Sequence, residues 1–123
     1  MKQLLLLALA GAAGTLARYA AYVGAQRLPW GNLPIATLVV NVVGSFLFGL
    51  VWMLGEHGRL SAQSRLLILT GFMGAFTTFS TFAFDTGQMM REGHWAAAAA
   101  NLLANNVLGI GAFLLGLAIA QRV

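Results

Sequence analysis

The sequence predicts an all-α integral membrane protein with four spanning helices, the third broken at membrane depth. Three observations carry this expectation. First, 59% of the 123 residues are hydrophobic and only 8% are charged, against the ~25% charged residues of an ordinary soluble domain. The bilayer is therefore the expected solvent. Second, a spanning helix needs ~20 mostly apolar residues, and stretches of that kind fall at about 4–23, 33–54, 65–90 and 95–120. Together they fill residues 1–123 as one transmembrane domain, with no room for a separate soluble one. Third, Gly71-Phe-Met-Gly-Ala-Phe-Thr-Thr-Phe-Ser-Thr-Phe82 places two glycines, four hydroxyl residues and four phenylalanines inside a segment that otherwise reads as membrane-spanning. Irregular or polar backbone at that depth is tolerated only where protein buries it or where it lines a wet cavity.

Taken in order, the first span is rich in small residues (Ala8, Ala10, Gly11, Ala12, Ala13, Gly14, Ala17), which let helix backbones approach closely in lipid. Arg18 and Tyr19 stand near its far end, where a cation and an aromatic ring suit the membrane interface. Leu4–Ala13 is also long enough for the apolar part of a signal peptide. The run continues past Arg18 to Val23, which favours a span. Pro29 and Gly31 mark a turn, with Trp30 as an interfacial anchor. The second span carries Asn41, then Gly44, Ser45 and Gly49, and ends near Trp52. In the polar loop that follows, Ser61 is placed to cap the third helix. That helix exceeds one bilayer crossing, which fits an interruption near Gly74–Ser80. Arg91–His94 makes a short turn. The fourth span carries Asn101, Asn105 and Asn106, then Gly109, Gly111 and Gly116. No repeat of 20 to 50 residues is present.

Charge and cysteine content exclude several function classes. The net charge is +4 and the chain is strongly basic, a balance that normally raises nucleic acid as a partner. Here the seven basic residues are scattered near span ends, as snorkelling and topology charges are, and no nucleic-acid partner is expected. There is no cysteine, so disulfides, thiolate metal sites and cysteine nucleophiles are out. With four spans, Lys2, Arg59, Arg65 and Arg122 fall on one side and Arg18, Arg27 and Arg91 on the other. Orientation is set by an excess of positive charge on one side, and four against three is hardly an excess. Two readings stay open: insertion in both orientations, with opposite copies pairing about an in-plane twofold axis, or one topology fixed by a few dominant charges.

The polar residues at depth also have two readings each. Asn41, in mid-span, is either a donor to a permeating anion or a structural interhelical bond. Thr77, Thr78, Ser80 and Thr81 can each bond back one turn, but four in five residues beside Gly71 and Gly74 point to a broken helix. Phe79 and Phe82 share a helix face. They either pack, or present positive ring edges that touch an anion without trapping it. Asp85 lies one turn beyond Phe82, and Asn101 and Asn105 face one way on the fourth helix. Arg18 is a snorkelling anchor or a vestibule charge.

These residues, in this order, resemble the Fluc (CrcB) family of bacterial fluoride channels. The likeness covers essentially the whole chain, through Gly14-Thr-Leu-Ala-Arg-Tyr19, Thr37-Leu-Val-Val-Asn-Val-Val-Gly-Ser45 and the Gly71–Phe82 segment. It implies an antiparallel, dual-topology homodimer with two pores, in the bacterial inner membrane. Asn41 would be the pore-lining donor, Phe79 and Phe82 the ring edges, and Ser80 and Thr81 the polar track, with Asn105 beside them. Arg18 and Asp85 would stand in the vestibule. A structural sodium ion at the dimer centre would sit on the backbone carbonyls of Gly74 and Thr77. The chain departs from the family pattern at three positions. Asn101 stands where many members carry Tyr, Asn105 where many carry Ser, and Asp85 where a longer Glu is expected.

The expected function is passive export of fluoride. No nucleophile–base pair or catalytic metal site suggests an enzyme. The alternative is a small proton-coupled multidrug exporter, which needs an acid deep in the membrane. The only acids are Glu56, Asp85 and Glu92, none of them in the first two spans or at a clear midplane position. A further rival is a non-transporting assembly subunit, which leaves the Gly71–Phe82 segment unexplained.

Overall fold

The computed structural model describes residues 1–27 and 34–123. It is all-helical among these, with four spans long and apolar enough to cross a membrane. The expected turn at Pro29 and Gly31, the Trp30 anchor and the expected start at Leu33 lie outside the described residues. Helix α1 runs Lys2–Ala25 and α2 runs Ile35–Glu56. Both extend two residues beyond their expected ends, where Gln26 N–H still bonds the Tyr22 carbonyl and His57 N–H the Met53 carbonyl. The third span is Ala62–Arg91. It comprises α3 (Ala62–Leu66), a wide π-helical segment (Leu67–Met73), α4 (Gly74–Phe76) and α5 (Phe79–Arg91). The fourth is α6, Trp95–Ala120.

Local chemistry sets the helix ends. The Ser61 side chain accepts the Ser64 N–H at 3.1 Å, satisfying a first-turn amide that has no helical partner. Gly58 and Gly93 adopt φ of +70° and +79°, a region that costs glycine no Cβ clash. Each closes a helix with paired bonds, Arg59 N–H to Leu54 O with Gly58 N–H to Gly55 O, and His94 N–H to Met89 O with Gly93 N–H to Met90 O. This double bond pattern satisfies carbonyls that the last turn leaves open.

The third span is interrupted at two residues, Thr77 (φ −81°, ψ 158°) and Thr78 (φ −151°, ψ 110°), both extended. Thr78 then caps α5, its hydroxyl accepting the Thr81 N–H at 3.2 Å. The interruption is narrower than the expected Gly74–Ser80, because Gly74 stays helical and Ser80 is already inside α5.

Packing relies on small residues. The most extensive helix pairing is α2 on α6. Gly49 faces the Phe113 carbonyl, and Gly116 faces the Phe46 carbonyl. A Cβ at either would collide with backbone of the opposite helix. Gly14 of α1 lies in the same way against the Phe72 carbonyl, and Gly44 of α2 against the Thr77 methyl. Without a hydrophobic drive between helices in lipid, such close approach is what dispersion has to work with. Val40, Met73 and Phe76 form a small buried cluster under these crossings. Large side chains such as Leu4, Leu9, Leu16, Phe84, Leu103 and Ile110 lie exposed, as lipid-facing surfaces do.

Candidate functional site

The site is built on the break. In an unbroken helix the Thr78 N–H would bond the Gly74 carbonyl. Here it donates instead to Asn41 Oδ1 at 2.9 Å. In return Asn41 Nδ2 donates to the Thr78 carbonyl at 3.2 Å. The carboxamide of α2 thus pairs with the freed backbone of Thr78 as a neighbouring strand would. This supplies partners for groups that cost several kcal/mol if left bare in hydrocarbon, on the order of the penalty for an unsatisfied buried amide. The second Asn41 N–H donates to Asn105 Oδ1 on α6 at 3.1 Å.

Asn41, Phe79, Phe82 and Asn105 line one open groove of about 390 Å³, with Gly44, Ser45, Phe48, Thr77, Thr78, Asn106 and Phe113 among its other walls. The rings of Phe79 and Phe82 meet edge to face, centroids 5.5 Å apart and planes at 60°. Phe82 is buried, whereas Phe79 is 78% exposed and stands at the open mouth of the groove.

The remaining expected site residues lie elsewhere. Ser80 and Thr81 cluster with the Thr78 hydroxyl, at 3.3 and 2.9 Å, and neither is among the groove-lining residues. Arg18 reaches the break from α1 and donates to the Thr77 carbonyl at 3.4 Å. Asp85 Oδ2 accepts the Thr37 hydroxyl at 2.8 Å. Because Thr37 spends its only proton there, the Tyr22 hydroxyl, 2.8 Å from Thr37 Oγ1, donates to it in turn. Arg18 and Asp85 form no ion pair among the described residues.

Two sets of polar residues went unremarked in the sequence. One is Tyr22 and Thr37, the latter one turn before Asn41 on α2. The other is Thr86, one turn after Phe82 on α5 and bonded to Asn101 at 2.9 Å. A hydroxyl residue spaced four from a recognised site residue was the available signal for both threonines.

The sequence matches the family model described as "CrcB-like protein, Camphor Resistance (CrcB)" over residues 5–117. The chain belongs to the CrcB family. Its relatives include proteins named "Fluoride-specific ion channel FluC". The one from Nitrosococcus oceani is 48% identical, covering 95% of this chain and 94% of the relative. That from Solidesulfovibrio magneticus is 46% identical over 100% and 99%, and that from Parabacteroides distasonis 39% identical over 100% and 96%. The exporter alternative finds no support in these names. Its required acid is also poorly placed in this CrcB chain. Glu56 ends α2 in an ion pair with Arg65 at 2.9 Å, and Glu92 follows α5 beside His94 at 3.5 Å.

A cation site on Gly74 and Thr77 can be tested against the donors present. The break removes the helical donor from the Gly74 carbonyl, and Gly74 itself is exposed. Thr77 is extended, and its carbonyl carries only the long Arg18 contact. Backbone carbonyls suit a hard cation, so the donor type fits, with Arg18 sharing one of the two oxygens.

Proposed function

We propose that this protein is a fluoride-selective ion channel, not an enzyme, that lets cytoplasmic fluoride leave the cell passively across the bacterial inner membrane. The observation that carries this reading is the naming of full-length relatives as fluoride-specific channels, at 48% and 46% identity. The groove supports it with the required chemistry: an amide, backbone and hydroxyl groups, and an edge-to-face phenyl pair. Fluoride is small and strongly hydrated. Such a path replaces its water shell in steps and excludes chloride by diameter. In this reading Asn41 donates to the ion, the edges of Phe79 and Phe82 pass it on, and Ser80, Thr81 and Asn105 complete the polar path. Arg18 and Asp85 shape the approach.

The channel is further proposed to be an antiparallel homodimer of oppositely inserted copies. Support comes from the near-even charge count, from an exposed Gly74 and from Phe79 exposed at an open groove. A twofold axis would present each Gly74 and Thr77 carbonyl twice, and these would hold a structural sodium ion. Bound there, the ion would supply fixed positive charge at the dimer centre.

The test is fluoride efflux from liposomes containing the purified protein, with chloride efflux in parallel. Fast fluoride release without chloride release, lost in Phe82→Ile, supports the reading. Equal release of both ions would refute selectivity, and no release from a folded protein would refute the channel.

A further inference from the structure

Asn41, Asn105, Asn101 and Thr86 form one continuous hydrogen-bonded chain. Asn41 Nδ2 donates to Asn105 Oδ1 at 3.1 Å. Asn105 Nδ2 donates to Asn101 Oδ1 at 3.0 Å and to the Asn101 carbonyl at 3.1 Å. Asn101 Nδ2 donates to Thr86 Oγ1 at 2.9 Å. The Thr86 hydroxyl donates to the Phe82 carbonyl at 2.8 Å. Asn101 and Thr86 are both 4% exposed, so water has little access to this end of the chain.

The direction of the chain is dictated at both ends. At one end the Thr78 backbone N–H can only donate, which fixes Asn41 Oδ1 toward it and leaves Asn41 Nδ2 to the Thr78 carbonyl and Asn105. At the other end the Phe82 carbonyl can only accept, so Thr86 spends its single proton there and offers Asn101 a lone pair. Every amide between is then forced to one orientation. For Asn105 the consequence is specific. Both of its N–H groups point back along α6 to Asn101, and only its oxygen faces Asn41 and the groove.

We propose that Thr86 and Asn101 are positioning residues that lock the Asn105 carboxamide with its oxygen toward Asn41. One Asn41 N–H therefore rests on Asn105 and is handed to an entering anion. This rests on the fluoride-channel reading and specifies how its central donor is tuned. The Asn105 oxygen competes with the anion for the donor. The lock also keeps the Asn105 amino group from adding a second donor that would hold the ion. Conduction requires binding weak enough to leave.

The experiment compares fluoride efflux from liposomes for Thr86→Val, Thr86→Ser and Asn105→Ala, and for Thr86→Val combined with Asn105→Ala. Thermal unfolding and elution volume are recorded for each. Val keeps the shape of Thr and loses the hydroxyl, whereas Ser keeps the hydroxyl. The expected result is efflux roughly tenfold slower in Thr86→Val, the size that one buried hydrogen bond supports, and near wild type in Thr86→Ser. In the Asn105→Ala background, Thr86→Val should change efflux by no more than roughly twofold, because its partner in function is already gone. Efflux in Thr86→Val that is unchanged or faster, or slowed equally in both backgrounds, overturns the proposal and leaves the channel reading standing. A wild-type protein that releases no fluoride overturns both.

Discussion

Asn41 performs two tasks with one amide. Its oxygen and one N–H close the gap that the broken helix leaves at Thr78, and its other N–H faces the groove through Asn105. Asn41→Asp separates these tasks. The carboxylate still accepts the Thr78 N–H but has nothing to donate, and it brings negative charge into the groove. Fluoride efflux should fall to background, and the thermal midpoint in detergent should drop as the Thr78 carbonyl loses its donor. Retained efflux would remove Asn41 from the ion path. That Asn41 needs hydrogen-bond partners at depth was legible from a lone strongly polar side chain in mid-span. Its partner was not, because the Thr78 backbone is free only once the third span has broken. The same holds for Asp85. Its place after Phe82 was readable, but its bond to Thr37 depends on how α2 lies against α5.

Among the elements, α2 and α6 are held by reciprocal glycines. Gly49→Ala and Gly116→Ala each drive a methyl group into a carbonyl of the opposite helix, at Phe113 and Phe46. Overpacking of this kind costs about 1–3 kcal/mol, so both variants should unfold at lower temperature in detergent. Gly111→Ala, whose Cβ meets nothing within 4 Å, should not. Equal effects from all three would mean that flexibility, rather than contact, decides. The four spans were legible because hydropathy depends on composition alone. The break was legible in outline from its hydroxyl cluster. The π-helical segment at Leu67–Met73 was not, since Leu-Ile-Leu-Thr-Gly-Phe-Met reads as ordinary helix and its widening answers to packing. Gly71 sits there, where a Cβ would meet the Ala10 methyl and Leu7 of α1.

For the molecule as a whole, the testable property is orientation. The chain has no cysteine, so Val123→Cys gives one reporter just past α6. In intact cells a membrane-impermeant maleimide should label roughly half of the protein, and the rest only after permeabilisation, as near-even positive charge leads one to expect. Labelling from one side alone would rule out dual insertion. The wide turn at Leu67–Met73 also has a molecular consequence. A π-helical turn holds one residue more than an α-helical one, and each residue of an α-helix advances the side-chain direction by about 100°. The segment therefore acts as a store of one spare residue. Deleting a single residue between 67 and 73 would let the wide turn close to an α-helical one, with Thr78, Phe79, Phe82 and Asp85 still on their present face and Asn41 still opposite Thr78. In a span without that slack, the same deletion would turn all four by about 100°.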